Sequence, residues 1–164
     1  MKKTAAFILL AALVFCAVIP TYAQKAGTET TLSDGTQIIY CDDGGYIIIS
    51  PATMISEVKS PDGTRATVTQ TKTQTKKDSG GNVEWKYTLT GTFSYTYGVS
   101  ASCTGASYSK TIYDSVWSFS NGSATASGAT ATGNGTFTKK VLFITVDTVN
   151  VHLTLTCDKY GNVT

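Results

Sequence analysis

Over residues 83–103 the chain alternates apolar and polar side chains almost without fault. The odd positions carry Val83, Trp85, Tyr87, Leu89, Gly91, Phe93, Tyr95, Tyr97, Val99, Ala101 and Cys103. The even positions carry Glu84 and Lys86 and then only Thr, Ser and Gly. An α-helix repeats every 3.6 residues, whereas period two places one row of side chains on each face of a pleated strand. A run of about 20 residues is far longer than a typical strand of about 5–6, so it must bend or turn. Gly91 and Gly98 are the predicted places, because glycine tolerates bulges and sharp kinks.

The pattern returns near the end of the chain. Val149, Val151, Leu153, Leu155 and Cys157 share one face, and Asn150, His152, Thr154 and Thr156 the other. Further strands are predicted at residues 37–41, 46–50, 53–60, 65–76, 107–119, 123–132 and 136–145. Turn signals separate them at Asp43-Gly44-Gly45, Pro61-Asp62-Gly63, Ser79-Gly80-Gly81-Asn82 and Gly133-Asn134-Gly135. Each supplies Gly, Asn or Asp where a tight turn needs positive φ. Threonine is abundant, and its branched Cβ suits a pleated surface. Eight to ten strands with no substantial helix predict an all-β fold: an antiparallel β-sandwich, or alternatively a flattened β-barrel.

Residues 1–23 read as a secretory signal peptide. Lys2 and Lys3 open it, an uncharged and mostly apolar run extends from Ala5 to Ile19, and Thr21 and Ala23 are the small residues of a cleavage region. The apolar run is about 15 residues, short of the roughly 20 that span a bilayer. Cleavage after Ala23 leaves one secreted domain, residues 24–164. Lipid attachment at Cys16 is disfavoured, since Phe15 stands where a small residue is needed. The full chain's 13 basic residues exceed its 11 acidic ones by the two lysines that leave with the signal, so the mature chain is formally neutral. No global field draws it to nucleic acid or to an anionic membrane, and no second apolar stretch is long enough to insert.

Cys41, Cys103 and Cys157 remain in a chain bound for an oxidising compartment. Cys103 and Cys157 share the apolar parity of their strands, so a Cys103–Cys157 disulfide is predicted, closing a loop worth about 4 kcal/mol on the chain-entropy model. Cys41 is then read as a small buried hydrophobe.

The sequence is poor in catalytic chemistry. Its single histidine, His152, falls on the polar side of the last strand with no motif around it. No HExxH, GxSxG, P-loop or CxxC spacing occurs. Ser56 and Lys59, and Ser107 and Lys110, have the SxxK spacing, but that spacing brings the pair together on a helix and splits them across a strand. The acidic turns at Asp42-Asp43-Gly44 and around Asp158 lack the spaced ligands of a calcium loop. No metal or cofactor is expected.

Three surface features merit attention. Thr67, Thr69, Thr71, Thr73 and Thr75 align five hydroxyls on one strand face, a row of the kind found on ice-binding surfaces but expected here to be a solvated face. Arg65, Lys72, Lys76 and Lys77 form a basic patch expected to solubilise an exposed edge strand. Tyr95 and Tyr97 are candidate ligand contacts, able to stack on a sugar, although their parity favours the core.

The segments Trp85-x-Tyr87-Thr88-Leu89-Thr90-Gly91-Thr92-Phe93-x-Tyr95, Cys103, Tyr113-Asp114-Ser115-x-Trp117 and Leu153-Thr154-Leu155-Thr156-Cys157-Asp158 with Gly161-Asn162 resemble a group of small secreted proteins of Gram-positive bacteria. The resemblance spans residues 83–164 and implies export, a β-rich domain and a cysteine pair; it carries over no catalytic or binding residue. The expected function is that of an exported, non-enzymatic β-domain acting by surface contact, in a structural, adhesive or envelope-associated role. Its expected partner is a cell-envelope polymer or another surface protein. A secreted binding module for carbohydrate or a small apolar ligand is the alternative, and a hydrolase is the least favoured.

Overall fold

The structure, a computed structural model, describes residues 27–164. The signal-peptide reading, Cys16 and cleavage after Ala23 lie outside the described residues. The described chain consists of ten strands and no helix: β1 (Glu29–Thr31), β2 (Gln37–Tyr40), β3 (Tyr46–Ile49), β4 (Thr53–Lys59), β5 (Arg65–Lys77), β6 (Val83–Thr96), β7 (Ser100–Ile112), β8 (Trp117–Ser127), β9 (Thr130–Val141) and β10 (Ile144–Thr156). One sheet has the order β1-β2-β3-β5-β6-β7, with β4 also paired to β5; the second has the order β10-β9-β8. All pairings are antiparallel. The sheets face each other and stay open, so the sandwich forms and the flattened-barrel alternative does not.

Parity dictates the core. Trp85, Tyr87, Leu89 and Phe93 on β6 are fully buried and meet Ala131 and Phe137 of β9 and Val151, Leu153 and Leu155 of β10 in one cluster. The Trp85 ring stacks on Phe137 at 3.9 Å between centroids and 5° between planes, and meets Trp117 edge-on at 6.0 Å. The Tyr87 hydroxyl sits within 3.2 Å of the Ser123 carbonyl and 3.1 Å of the Asn134 carbonyl, which satisfies its polar tip inside the sandwich.

The long alternating run is a hairpin. It turns at Gly98, whose φ is +74°, and not at Gly91, where β6 continues unbroken. A Cβ at Gly91 would press on the Phe93 ring at 2.7 Å and on Ala131 at 3.1 Å, so that glycine serves packing. Residues 107–119 are likewise not one strand: β7 ends at Ile112 and β8 begins at Trp117. The expected turn at Gly133-Asn134-Gly135 lies inside β9, and the chain instead reverses at Gly128 and Ala129. The reason is steric. The Tyr87 ring, from the opposing sheet, occupies the space a Gly133 side chain would take, and the Phe119 ring, from neighbouring β8, that of Gly135, so these glycines seat aromatics inside the sandwich.

The edge-strand reading of the basic patch is also corrected. β5 is central, flanked on one side by β6 and on the other by β3 and β4, which lie end to end along it. Ser50 continues this edge between them: its N–H donates to the Thr73 carbonyl at 2.9 Å, and the Thr73 N–H donates to its Oγ at 3.0 Å. Arg65 is exposed, but Lys76 is completely buried.

The Cys103–Cys157 disulfide is not formed; Cys41, Cys103 and Cys157 are free thiols. The two strands do converge, since the Cys103 and Cys157 N–H groups bind the Gly128 and Ala129 carbonyls of one turn at 2.7 and 3.0 Å. Each thiol, however, turns to a carbonyl of its own segment, Gly105 for Cys103 and Asp158 for Cys157, both at 3.4 Å.

Trp85→Ala is expected to destabilise the domain by about 3–5 kcal/mol through lost burial and a residual cavity. His152→Ala, at an exposed position, should cost well under 1 kcal/mol. Chemical denaturation of both variants checks this, and equal losses would remove Trp85 from the centre of the core.

Candidate functional site

The unusual chemistry gathers at one end of the sandwich, where the β2–β3, β5–β6, β7–β8 and β9–β10 connections meet. The β9–β10 connection is a two-residue turn, with Val141 paired to Ile144 across it. Leu142 and Phe143 sit in the turn at φ +49° and +70°. Such turns favour Asn-Gly, because side chains larger than Asn are strained in the left-handed region, at about 1–2 kcal/mol per residue. Leu142 is 85% exposed and Phe143 is 101% exposed. Val141, Ile144 and Val146 are also exposed, so five apolar residues project into solvent from one hairpin end. No turn signal marks this position, and the strand reading of residues 136–145 ran straight across it. The readable clue was an apolar run with no polar alternation.

At the base of this finger lies a chain of charges whose two central members, Lys76 and Glu84, are buried and whose ends, Asp43 and Lys139, reach solvent. A β-bulge opposite Lys76 and Lys77 leaves Glu84 without a cross-strand partner and turns it inward. Glu84 is 4% exposed and Lys76 is 0% exposed. Lys76 Nζ donates to both Asp43 carboxylate oxygens at 2.9 Å and lies 3.8 Å from Glu84 Oε2. Lys139 Nζ holds Glu84 Oε1 at 2.8 Å and lies 5.6 Å over the Trp117 ring. Glu84 Oε2 has no hydrogen-bond partner. Burial pulls the Asp43 carboxyl upward, but Lys76 and the Gly45 amide outweigh it and hold it below its ordinary value. The hydrogen bond from Lys139 to Glu84 raises the Lys139 ammonium.

A cleft of about 360 Å³ opens beside this chain, between Tyr40, Cys41 and Asp43 on one side and Val146, Asp147 and Val149 on the other. Val146 is the unpaired residue of a bulge in β10. Cys41 is half-buried where a buried hydrophobe was expected, and desolvation pushes its thiol up, away from a reactive thiolate.

Of the residues singled out from sequence, Cys41, Asp43 and Lys76 meet at this end, and the others are placed elsewhere. Tyr95 is buried at the opposite end, where its hydroxyl donates to Glu57 at 2.7 Å; that bond, with burial, raises the phenol to about 12. It is therefore not a surface contact. Tyr97 is 64% exposed and meets Tyr160 edge-on at 5.4 Å. His152 is exposed and bonds Asn134 Oδ1 at 2.8 Å. Ser56 and Lys59 lie on opposite faces of β4, as do Ser107 and Lys110 on β7. The threonine row of β5 lies in register with that of β6, with Thr69 to Thr92 at 3.2 Å and Thr73 to Thr88 at 3.0 Å. Ser107, Ser109 and Thr111 of β7 extend this hydroxyl face to a third strand. Among the described residues no three His, Cys, Asp or Glu side chains cluster to hold a metal ion.

No protein-family model matches this chain, and no curated protein or solved structure matches it significantly.

Replacing Leu142-Phe143 by Asn-Gly removes the positive-φ strain and is expected to stabilise the domain by about 1–3 kcal/mol. Thermal and chemical denaturation measure this; a destabilised double variant would show that the apolar tip packs in the folded state.

Proposed function

We propose that the mature chain is an exported, non-enzymatic contact domain and that the β9–β10 finger is its contact element. One observation carries this reading: Leu142 and Phe143 are held in solvent on a turn that disfavours them. A fold that keeps strain and exposes apolar side chains at one place has a use for them there. The fitting partner is an apolar pocket on another surface protein. Asp42, Asp114 and Asp147 accompany Lys139 and Lys140 at this end, so no positive field favours an anionic lipid surface. Producing cells should retain the purified mature protein, beginning at Gln24, and should lose the Asn-Gly double variant at the finger. Equal retention of the two would refute the finger's role, and undiminished retention on protease-shaved cells or on bare lipid vesicles would refute a protein partner.

The exposed Tyr97–Tyr160 pair supports carbohydrate contact at the other end as a second reading. In that case Tyr97→Ala would abolish binding in a glycan-array screen and the finger variant would not.

Export also implies that Cys103 and Cys157, which flank the same turn, oxidise to a disulfide outside the cell. Non-reducing peptide mapping of secreted protein should find that linkage and a free Cys41. Three free thiols in the secreted protein would refute it.

A further inference from the structure

We propose that Lys76 and Asp43 condense to form an intramolecular isopeptide bond, with Glu84 relaying the protons. Lys76 is wholly buried, and its Nζ lies 2.9 Å from both oxygens of the Asp43 carboxylate, so a small rotation of the carboxyl brings Cγ face-on to the amine. Reactive groups held in such contact have effective concentrations far above those in solution, on the order of 10⁵ M or more when well oriented. Glu84, 4% exposed, points Oε2 at the amine from 3.8 Å, and that oxygen has no hydrogen-bond partner. Lys139 anchors the other Glu84 oxygen at 2.8 Å. The Gly45 N–H donates to Asp43 Oδ1 at 2.9 Å, where negative charge would develop on carbonyl attack. A Cβ at position 45 would clash with the Lys77 carbonyl and lie 2.6 Å from Lys76 Nζ, so glycine lets this turn close on β5 beside the pair.

The chemistry balances within these groups. Glu84 accepts a proton from the Lys76 ammonium and passes it to Asp43 Oδ2. The free amine then attacks Asp43 Cγ, and the oxyanion at Oδ1 is held by the Gly45 amide. Glu84 carries a second proton from nitrogen to Oδ2. The Nζ–Cγ bond forms, the Cγ–Oδ2 bond breaks, one water leaves, and Glu84 ends as the carboxylate it began as. No oxidant, reductant or metal is required. Lys76 is wholly buried while the Asp43 side chain keeps 34% of its exposure, so condensation removes the cost of a buried ammonium and leaves the released water a way out to solvent. The bond would tie the β2–β3 turn to β5 across 33 positions of sequence.

Intact mass of the reduced, denatured wild-type protein tests the proposal. The expected result is a deficit of one water. Proteolytic mapping should recover a branched peptide joining the segment of Asp43 to that of Lys76, which separates this loss from cyclisation of an N-terminal glutamine. Asp43→Ala should restore the full mass, and Glu84→Gln should slow or abolish the loss. A wild-type protein of full mass, with the Lys76 amine open to amine-reactive labelling after denaturation, would overturn the proposal whether or not the variants fold. Undiminished bond formation in Glu84→Gln would remove Glu84 from the relay.

Discussion

The stack of Trp85 on Phe137 fixes how the two sheets meet, and most of the architecture follows from it. An indole lying flat on a phenyl ring at 3.9 Å leaves no room for further side chains between β6 and β9 at that level. The next positions along β9 must then be small, because Tyr87 and Phe119 lie over them. Gly133 and Gly135 meet that need, and Ala131 completes the row of small residues facing β6. Large residues on β6 and β8 are thus matched by small ones on β9. This is the complementarity that close packing at interior density demands.

The same stack brings charge into the interior. Trp85 points inward in normal register, yet its neighbour Glu84 also points inward, because the bulge at Lys76 and Lys77 inserts it as an extra residue. A carboxylate placed there must be neutralised, and Lys76 and Lys139 supply the counter-charges from β5 and β9. Asp43 then balances Lys76. Four groups of alternating sign make a neutral chain whose two central members, Lys76 and Glu84, are buried and depend on it for their counter-charges.

How far the sequence disclosed this depends on what each residue's neighbours are. β6 and the second half of β10 are legible because local parity and burial agree: the odd residues face the opposing sheet from Trp85 to Tyr95 and from Val149 to Leu155. β9 was misread because its inward residues are glycines. In sequence a Gly-Asn-Gly triplet signals a turn, and the aromatics that fill the space above those glycines, Tyr87 and Phe119, are distant in the chain. β5 was misread for the opposite reason. Its inward face carries Gln70, Gln74 and Lys76 beside Ala66 and Val68, so polarity pointed to an exposed edge, although the topology buries it. The ion chain was invisible for the same reason, since its members come from β5, β6, β9 and a turn. The finger left only an apolar run without punctuation, which reads as continuous strand.

The finger and the ion chain are mechanically one unit. β9 carries Lys139, whose ammonium is locked to buried Glu84, and two residues later the chain emerges as Val141-Leu142-Phe143-Ile144. A hairpin tip without such an anchor would fray, and its apolar side chains would fold back on the sandwich, where burial rewards them at about 25 cal/mol per Å². Here the strand is pinned on its inner side by a salt bridge and by Phe137 on Trp85, and the two left-handed residues set the direction of the tip. Preorganisation of this kind lowers the entropy lost on binding, so a small apolar tip presented rigidly serves a contact better than a larger mobile one. In most of the domain, strand parity and packing reinforce each other, and only at this end are two conventions broken together: buried charge, and bulky side chains at positive φ. Local rules that are broken side by side, with the fold supporting both, mark the part of a protein kept for a purpose other than folding.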